Sequence, residues 1–193
     1  MNQAIYIVEY SSIPIGIYVL DRMVKHAPAD ILYAKPVCIG KFLIVVGGGV
    51  DDVREAQRAA ASAQNAKALQ QYLLTNAHSE ILAHFRRAPG QKSAAGGPAV
   101  GILETRHAAS GFYSLDAALK CGNVRLEHLW LGHFIGGKFC YVLRGQVADI
   151  HSAFVAAQKD LDPSEIVDSQ ILPAMDKAVM ACLFSAHFVQ NAR

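Results

Sequence analysis

A chain of 193 residues with 52% hydrophobic and only 18% charged residues is globular and somewhat greasy, since ordinary domains hold roughly 45–50% and about 25%. A net charge of +2 without any lysine or arginine run excludes an electrostatic nucleic-acid stripe, and no apolar run approaches the roughly 20 residues of a membrane helix. The opening MNQAIYIVEY has no cationic segment, so no secretory leader is expected. Cys38, Cys121, Cys140 and Cys182 show neither C-x-x-C pairing nor zinc spacing, as expected of reduced cytoplasmic thiols.

The first predicted element is an apolar strand over Ile5–Glu9. A helix follows, with apolar residues Ile13, Ile17, Leu20 and Val24 and with Pro14 in its first turn, where the missing N–H costs nothing. It ends near Lys25, before Ala27-Pro28. Two strands, Ile31–Val37 and Phe42–Val46, flank a glycine-containing loop. A second helix over Asp51–Ala63, a strand near Leu69–Leu74 and a helix near Ala77–Arg87 complete this unit.

The same order then recurs. Strand Val100–Glu104 leads into a helix with Phe112, Leu115 and Leu119, ending near Lys120 before Gly122-Asn123. Strands Arg125–Leu131 and Phe139–Leu143, helix Ala148–Gln158, strand Ile166–Leu172 and helix Ala174–Phe188 follow. The two copies match by residue: Glu9 with Glu104, Gly16 with Gly111, Asp21 with Asp116 and Lys25 with Lys120, all at an offset of 95. The match resumes as Gly40-Lys41-Phe42 against Gly137-Lys138-Phe139, at an offset of 97. A repeat this long is a domain, not a solenoid unit.

The order strand-helix-strand-strand-helix-strand is the ferredoxin-like split βαβ arrangement. The expected fold class is therefore α/β (α+β), with domains at 1–87 and 99–193. The intervening 88–98 segment is rich in Gly, Ala, Ser and Pro and reads as an exposed, flexible linker. No Ser/His/Asp order, P-loop or H-E-x-x-H motif is present, so no enzyme is expected. A small enzyme or regulator on a duplicated ferredoxin-like fold is still a possible use of such a scaffold.

The phrases AVGILETR at 99–106, SLDAALKCGNVRL at 114–126 and GGKFCYVLRGQVADI at 136–150 resemble the bacterial microcompartment shell domain. The first copy fits more loosely, with Tyr10 for Thr, Arg22-Met23-Val24 for Ala-Ala-Leu and Gly47 for Arg. Two copies in unpermuted order resemble the tandem shell proteins, so the resemblance implies a homotrimer that mimics a hexamer. Such a trimer would tile edge to edge with other shell proteins in a microcompartment shell inside the cytoplasm. It also places Lys25 and Lys120 at tile edges, with Arg144 assisting. On the residues alone, both lysines read equally as cations closing a helix.

In this family the loop between the second and third strands surrounds the central axis. The resemblance therefore makes Val37, Cys38, Ile39 and Gly40 pore-lining in the first copy, and His133, Phe134, Ile135 and Gly136 in the second, whose loop is two residues longer. Cys38-Ile39-Gly40-Lys41-Phe42 is similar to the pore loop of propanediol-utilisation-type tandem shell proteins, in which a cysteine before x-Gly-Lys-Phe binds an iron–sulfur cluster. Three Cys38 thiolates would serve three irons of one [4Fe–4S] cluster, for electron transfer or for delivery to luminal redox enzymes.

Other readings of these loops stay open. One is a cofactor-free pore for small metabolites; another is that Cys38 is a small apolar filler. Ile39 stands where a proline would suit the loop, and His133 reads as a hydrogen-bonded loop residue or a pore-lining one. Cys140, Cys121 and Cys182 read as packing residues, and Glu9 and Glu104 as scaffold.

Overall fold

A computed structural model describes residues 3–63, 66–86, 97–132 and 135–184. The first domain runs β1 (Ala4–Tyr10), α1 (Ile13–His26), β2 (Asp30–Val37), β3 (Lys41–Gly48), α2 (Val50–Ala61), β4 (Ala68–Leu74) and α3 (Ser79–Arg86). The second repeats it as β5 (Ala99–Thr105), α4 (Ala108–Cys121), β6 (Arg125–Leu131), β7 (Phe139–Gly145), α5 (Val147–Gln158), β8 (Ile166–Leu172) and α6 (Lys177–Phe184). Of the expected linker, only Gly97 and Pro98 lie among the described residues.

Each domain has one four-stranded sheet, in the orders β2-β3-β1-β4 and β6-β7-β5-β8. Neighbouring strands are antiparallel throughout, as a pair of split βαβ units requires. The registers repeat as closely as the sequence does. Glu9 lies opposite Gln70 and Glu104 opposite Asp168, and each sheet breaks register at the next step, between Glu9 and Tyr10 and between Glu104 and Thr105.

Strand β1 is buried along its whole length, which explains why it reads as an unbroken apolar run. Its even-numbered residues Tyr6, Val8 and Tyr10, with Phe42, Ile44 and Val46 of β3, pack on Val19 and Met23 of α1 and on Val53, Ala56 and Ala60 of α2. Asp51 and Asp52 in the first turn of α2, and Arg58 in its last, complement the helix dipole.

The opposite face of this sheet, with Ile5, Ile7, Leu43 and Val45, forms one apolar cluster with Phe112, Leu115 and Leu119 of α4. Helix α4 is consequently buried on nearly every side. Phe112 packs at 5.6 Å from Phe85 of α3 and at 4.6 Å from Phe139 of its own sheet. Tyr113 stacks on Tyr72 of β4 at 4.7 Å.

Helix α1 buries a different stripe from the one its spacing suggests. Gly16, Val19 and Met23 face its own sheet, while Ile17 and Val24 are exposed. Gly16 and Gly111 permit the close approach of each first helix. A Cβ at Gly111 would lie 2.3 Å from the Phe139 ring, and one at Gly16 2.5 Å from Phe42. Gly111→Ala is expected to lower stability by about 1–3 kcal/mol through overpacking of this contact, measured as an earlier chemical unfolding midpoint.

Candidate functional site

The two candidate pore loops lie against each other. Residues Cys38–Gly40 form a short 3-10 turn between β2 and β3. The Cys38 N–H donates to the Gly132 carbonyl at 3.2 Å, across the domain boundary. Within the second loop, Gly132 donates to the Lys138 carbonyl at 3.0 Å and Gly137 to the Gly132 carbonyl at 3.2 Å. The loops fit this tightly because glycine fills the contact positions. A Cβ at Gly132 would lie 2.6 Å from the Val37 side chain, and one at Gly137 2.9 Å from the Cys38 carbonyl, both at positive φ.

Of the expected pore residues, Val37 is buried at this contact, whereas Cys38 and Ile135 are half-buried and Ile39, Gly40 and Gly136 exposed. Beside Gly40 and Gly136 there is open space, with nothing within 4 Å of a built Cβ. His133 and Phe134 lie outside the described residues. Ile39 has φ +67° and is 79% exposed. Proline, fixed near φ −65°, therefore does not suit this position as the sequence suggested. A β-branched residue here costs about 1–2 kcal/mol.

A carboxylate buttresses the site. Glu9 is fully buried on the α4-facing side of β1. It accepts the Ala109 N–H at the start of α4 at 2.8 Å and meets Lys41, at the foot of the Cys38 turn, at 3.4 Å. It thus joins the pore loop, its own sheet and the N-terminus of the second domain's helix, where a negative charge is favoured. Its counterpart Glu104 is half-buried and meets Lys138 at 2.8 Å.

Three more carboxylates staple the domains, and sequence reasoning did not identify them. Asp116 accepts the His78 N–H at 2.8 Å. Glu80 accepts the Leu126 N–H at 2.6 Å and pairs with Arg125 at 3.5 Å. Glu165 accepts from Ser110 at 2.7 Å, meets His107 at 2.9 Å and accepts from Gln70 of the first domain at 3.4 Å. Partners from 38 to 95 residues apart leave no local signal.

The expected edge residues fall at matching places. Lys25 and Lys120 both lie in the last turn of a first helix, each paired with the aspartate four residues earlier, at 2.6 and 2.5 Å. Arg144 is engaged within the chain, donating to the Gly97 carbonyl at 3.2 Å and to the Met180 sulfur at 3.3 Å. Among the described residues of one chain, no three His, Cys, Asp or Glu side chains converge on a metal-sized site. No helix there is long and apolar enough to cross a membrane.

Three cysteines differ from expectation. Cys121 and Cys182 are exposed instead of packed. Cys140 is half-buried on the opposite face of β7 from Phe139 and Tyr141, because strand residues alternate between faces.

The chain is thus a tandem of two split βαβ domains whose glycine loops meet. The BMC domain family model matches the chain twice, over residues 4–77 and 99–175, and the chain belongs to that family. It is a structural tile of a bacterial microcompartment shell. The bacterial microcompartment shell protein PduT of Citrobacter freundii is 35% identical over 159 residues, spanning 82% of this chain and 85% of the relative. A crystal structure of a microcompartments protein from Desulfitobacterium hafniense DCB is 31% identical with a TM-score of 0.82, covering 94% of this chain and 100% of that one. A fused permuted hexameric shell protein of the RMM microcompartment shares the fold, at 21% identity and a TM-score of 0.56, covering 81% of this chain and 82% of that one.

Burial, and then the nearby Glu104 charge, push the Cys140 thiol up to about 12, with Lys138 opposing. The thiol is therefore protonated near neutrality. A raised folded value stabilises the fold below about pH 9, and this contribution is lost as pH rises towards 12. At mildly alkaline pH, iodoacetamide is expected to label Cys121 and Cys182 well before Cys140, as read by peptide mass spectrometry.

Proposed function

We propose that the chain closes head to tail with two further copies into a pseudohexameric tile, and that Cys38 from the three subunits holds a [4Fe–4S] cluster at the central axis. The single observation that carries the ring is that the chain already contains one copy of its interface. Inside the chain, α4 covers the bare face of the first sheet. Among the described residues, the corresponding face of the second sheet is less fully covered, with Ile102, Glu104 and Cys140 half-buried where Ile7, Glu9 and Leu43 are fully buried, and the outer face of α1, with Ile17 and Val24, is exposed.

The exposed apolar residues are those that such a ring would bury. Ile17, Tyr18, Val24 and Ile31 are exposed, and their counterparts at an offset of 95 are Phe112, Tyr113, Leu119 and Leu126. Phe112, Leu119 and Leu126 are buried and Tyr113 half-buried, all beside the neighbouring domain. Val179 of α6, also exposed, corresponds to Ile81 of α3, which is 1% exposed. A heterologous head-to-tail contact makes a ring when its rotation closes, and the proposed trimer repeats the rotation between the two domains at each subunit boundary.

The cluster reading rests on the chemistry of the loops. Cys38 is half-buried on its turn, Gly40 and Gly136 have no neighbour within 4 Å of a built Cβ, and the adjoining loop is anchored to the Cys38 backbone. A ligand on a rotation axis needs only one donor from each copy. When bound, such a cluster supplies one-electron redox chemistry whose potential depends on hydrogen bonds and exposure. The chain's own part is to present the thiol on a fixed turn and to offer small residues around it. Other shell proteins meet the tile at edges bearing Lys25 and Lys120, and luminal redox enzymes are the partners such a pore would serve.

Two measurements test these claims separately. Sedimentation of the wild-type chain is expected to give a trimer, and Ile17→Asp, which would bury an unpaired charge, a folded monomer. After anaerobic reconstitution, the trimer is expected to be brown and to carry iron and sulfide in equal amounts, whereas Cys38→Ala is expected to be colourless and iron-free. A Cys38→Ala trimer that retained both would overturn the assignment. A wild-type trimer that took up no iron would leave a cofactor-free pore for small metabolites.

A further inference from the structure

The face of the second sheet that bears Glu104 also bears Asp168, an exposed carboxylate whose contacts among the described residues are local, accepting from the Ser169 N–H at 2.7 Å and from Gln170 at 3.4 Å. At the internal boundary, Gln70 of β4 reaches across the domains and donates to the Glu165 carboxylate at 3.4 Å. Strand register identifies the equivalent positions. Gln70 lies opposite Glu9 and Asp168 opposite Glu104, each just before the same register break, so Asp168 corresponds to Gln70. Glu165 immediately precedes β8 as Lys67 immediately precedes β4, so Lys67 corresponds to Glu165. Lys67 and Asp168 are both exposed.

Resting on the ring reading above, we propose that Lys67 of one copy pairs with Asp168 of the next, an ion pair made only between subunits that selects which domain docks on the second sheet. The amide-to-carboxylate contact inside the chain becomes a carboxylate-to-ammonium contact between chains. The alternatives are disfavoured by the same charges. A second domain docked on a second sheet would set Glu165 against Asp168, two carboxylates. A first domain docked on a first sheet would set Lys67 against the neutral Gln70, without an ion pair. Repulsion of the wrong partner together with attraction of the right one is how specificity is built into such surfaces. In this ring it enforces alternation of the two domains.

The surroundings of the two positions agree with this division. Glu165 also engages His107 and Ser110, whose counterparts at an offset of 95 are Ser12 and Ile15. The Lys67 side of the boundary therefore has a serine in place of the histidine and an isoleucine in place of the Ser110 hydroxyl that hold Glu165.

The test uses the full chain, with Lys67→Glu, Asp168→Lys, the exchange K67E/D168K, and K67E/D168Q, which transplants the internal pair. Equilibrium sedimentation at low and high salt reads assembly, and thermal melts confirm that these exposed substitutions leave each chain folded. Each single charge reversal is expected to weaken assembly by about tenfold or more at low salt, with a smaller loss at high salt. Both double variants are expected to recover to within about threefold, the range of an ordinary pairwise coupling. Single variants that assemble like wild type, or a charge exchange that fails to recover, overturn the pair while leaving the ring intact. A wild-type chain that does not form a trimer overturns the ring and the pair together.

Discussion

Two helices can cover only one face of a four-stranded sheet. In the first domain, Ile5, Ile7, Leu43 and Val45 would be left facing water, and burial of each such side chain is worth about 1.5–3 kcal/mol. Helix α4 of the second domain covers them, so the stability of the first sheet depends on a helix that begins a hundred residues later. The same contact decides where everything else sits. It brings the two glycine loops together, buries Glu9, and turns that carboxylate into a partner for the start of α4. A buried charge left without partners would be strongly destabilising; here the Ala109 N–H and Lys41 supply them.

Duplication makes this contact an intramolecular one, and in the proposed ring the same contact would recur between chains. A chain of two domains forms the contact once; among the described residues, its equivalents are the exposed outer face of α1 and the half-buried positions Ile102, Glu104 and Cys140 of the second sheet. The copies have diverged around these positions. Pro14 stands where Ala109 donates its N–H, and a proline has no N–H to donate. Glu104 lies closer to its own lysine than Glu9 does, 2.8 against 3.4 Å. Lys67 stands for Glu165 and Asp168 for Gln70. A single-domain hexamer must use one sequence for all six contacts, whereas a duplicated chain can tune the covalently joined boundary and the associating one separately.

Much of the fold was legible because the repeat is local in its cues. The strands, the glycine loops, the first-turn proline and the lysine-terminated helices all follow from near neighbours, and antiparallel split βαβ order follows from their sequence. The apolar stripe of α1 was legible too, but its destination was not. Ile17 and Val24 look like core residues by spacing, yet both are exposed on α1. Cys140 shows the same ambiguity, since an apolar strand buried on one face and half-open on the other reads continuously from either side. The strain at Ile39 was invisible, because a β-branched residue gives no warning that its backbone is left-handed.

The sequence by itself determined that there are two copies of one α/β domain, where their elements lie and which loop carries a cysteine, because propensity, periodicity and turn chemistry act over a few residues. Only the tertiary structure decided which face of each helix is core, which carboxylates join the domains and which apolar residues stay exposed. Those outcomes depend on surfaces 38 to 100 residues apart meeting in space, and no short-range pattern records which of two equally apolar faces will be covered from within the chain.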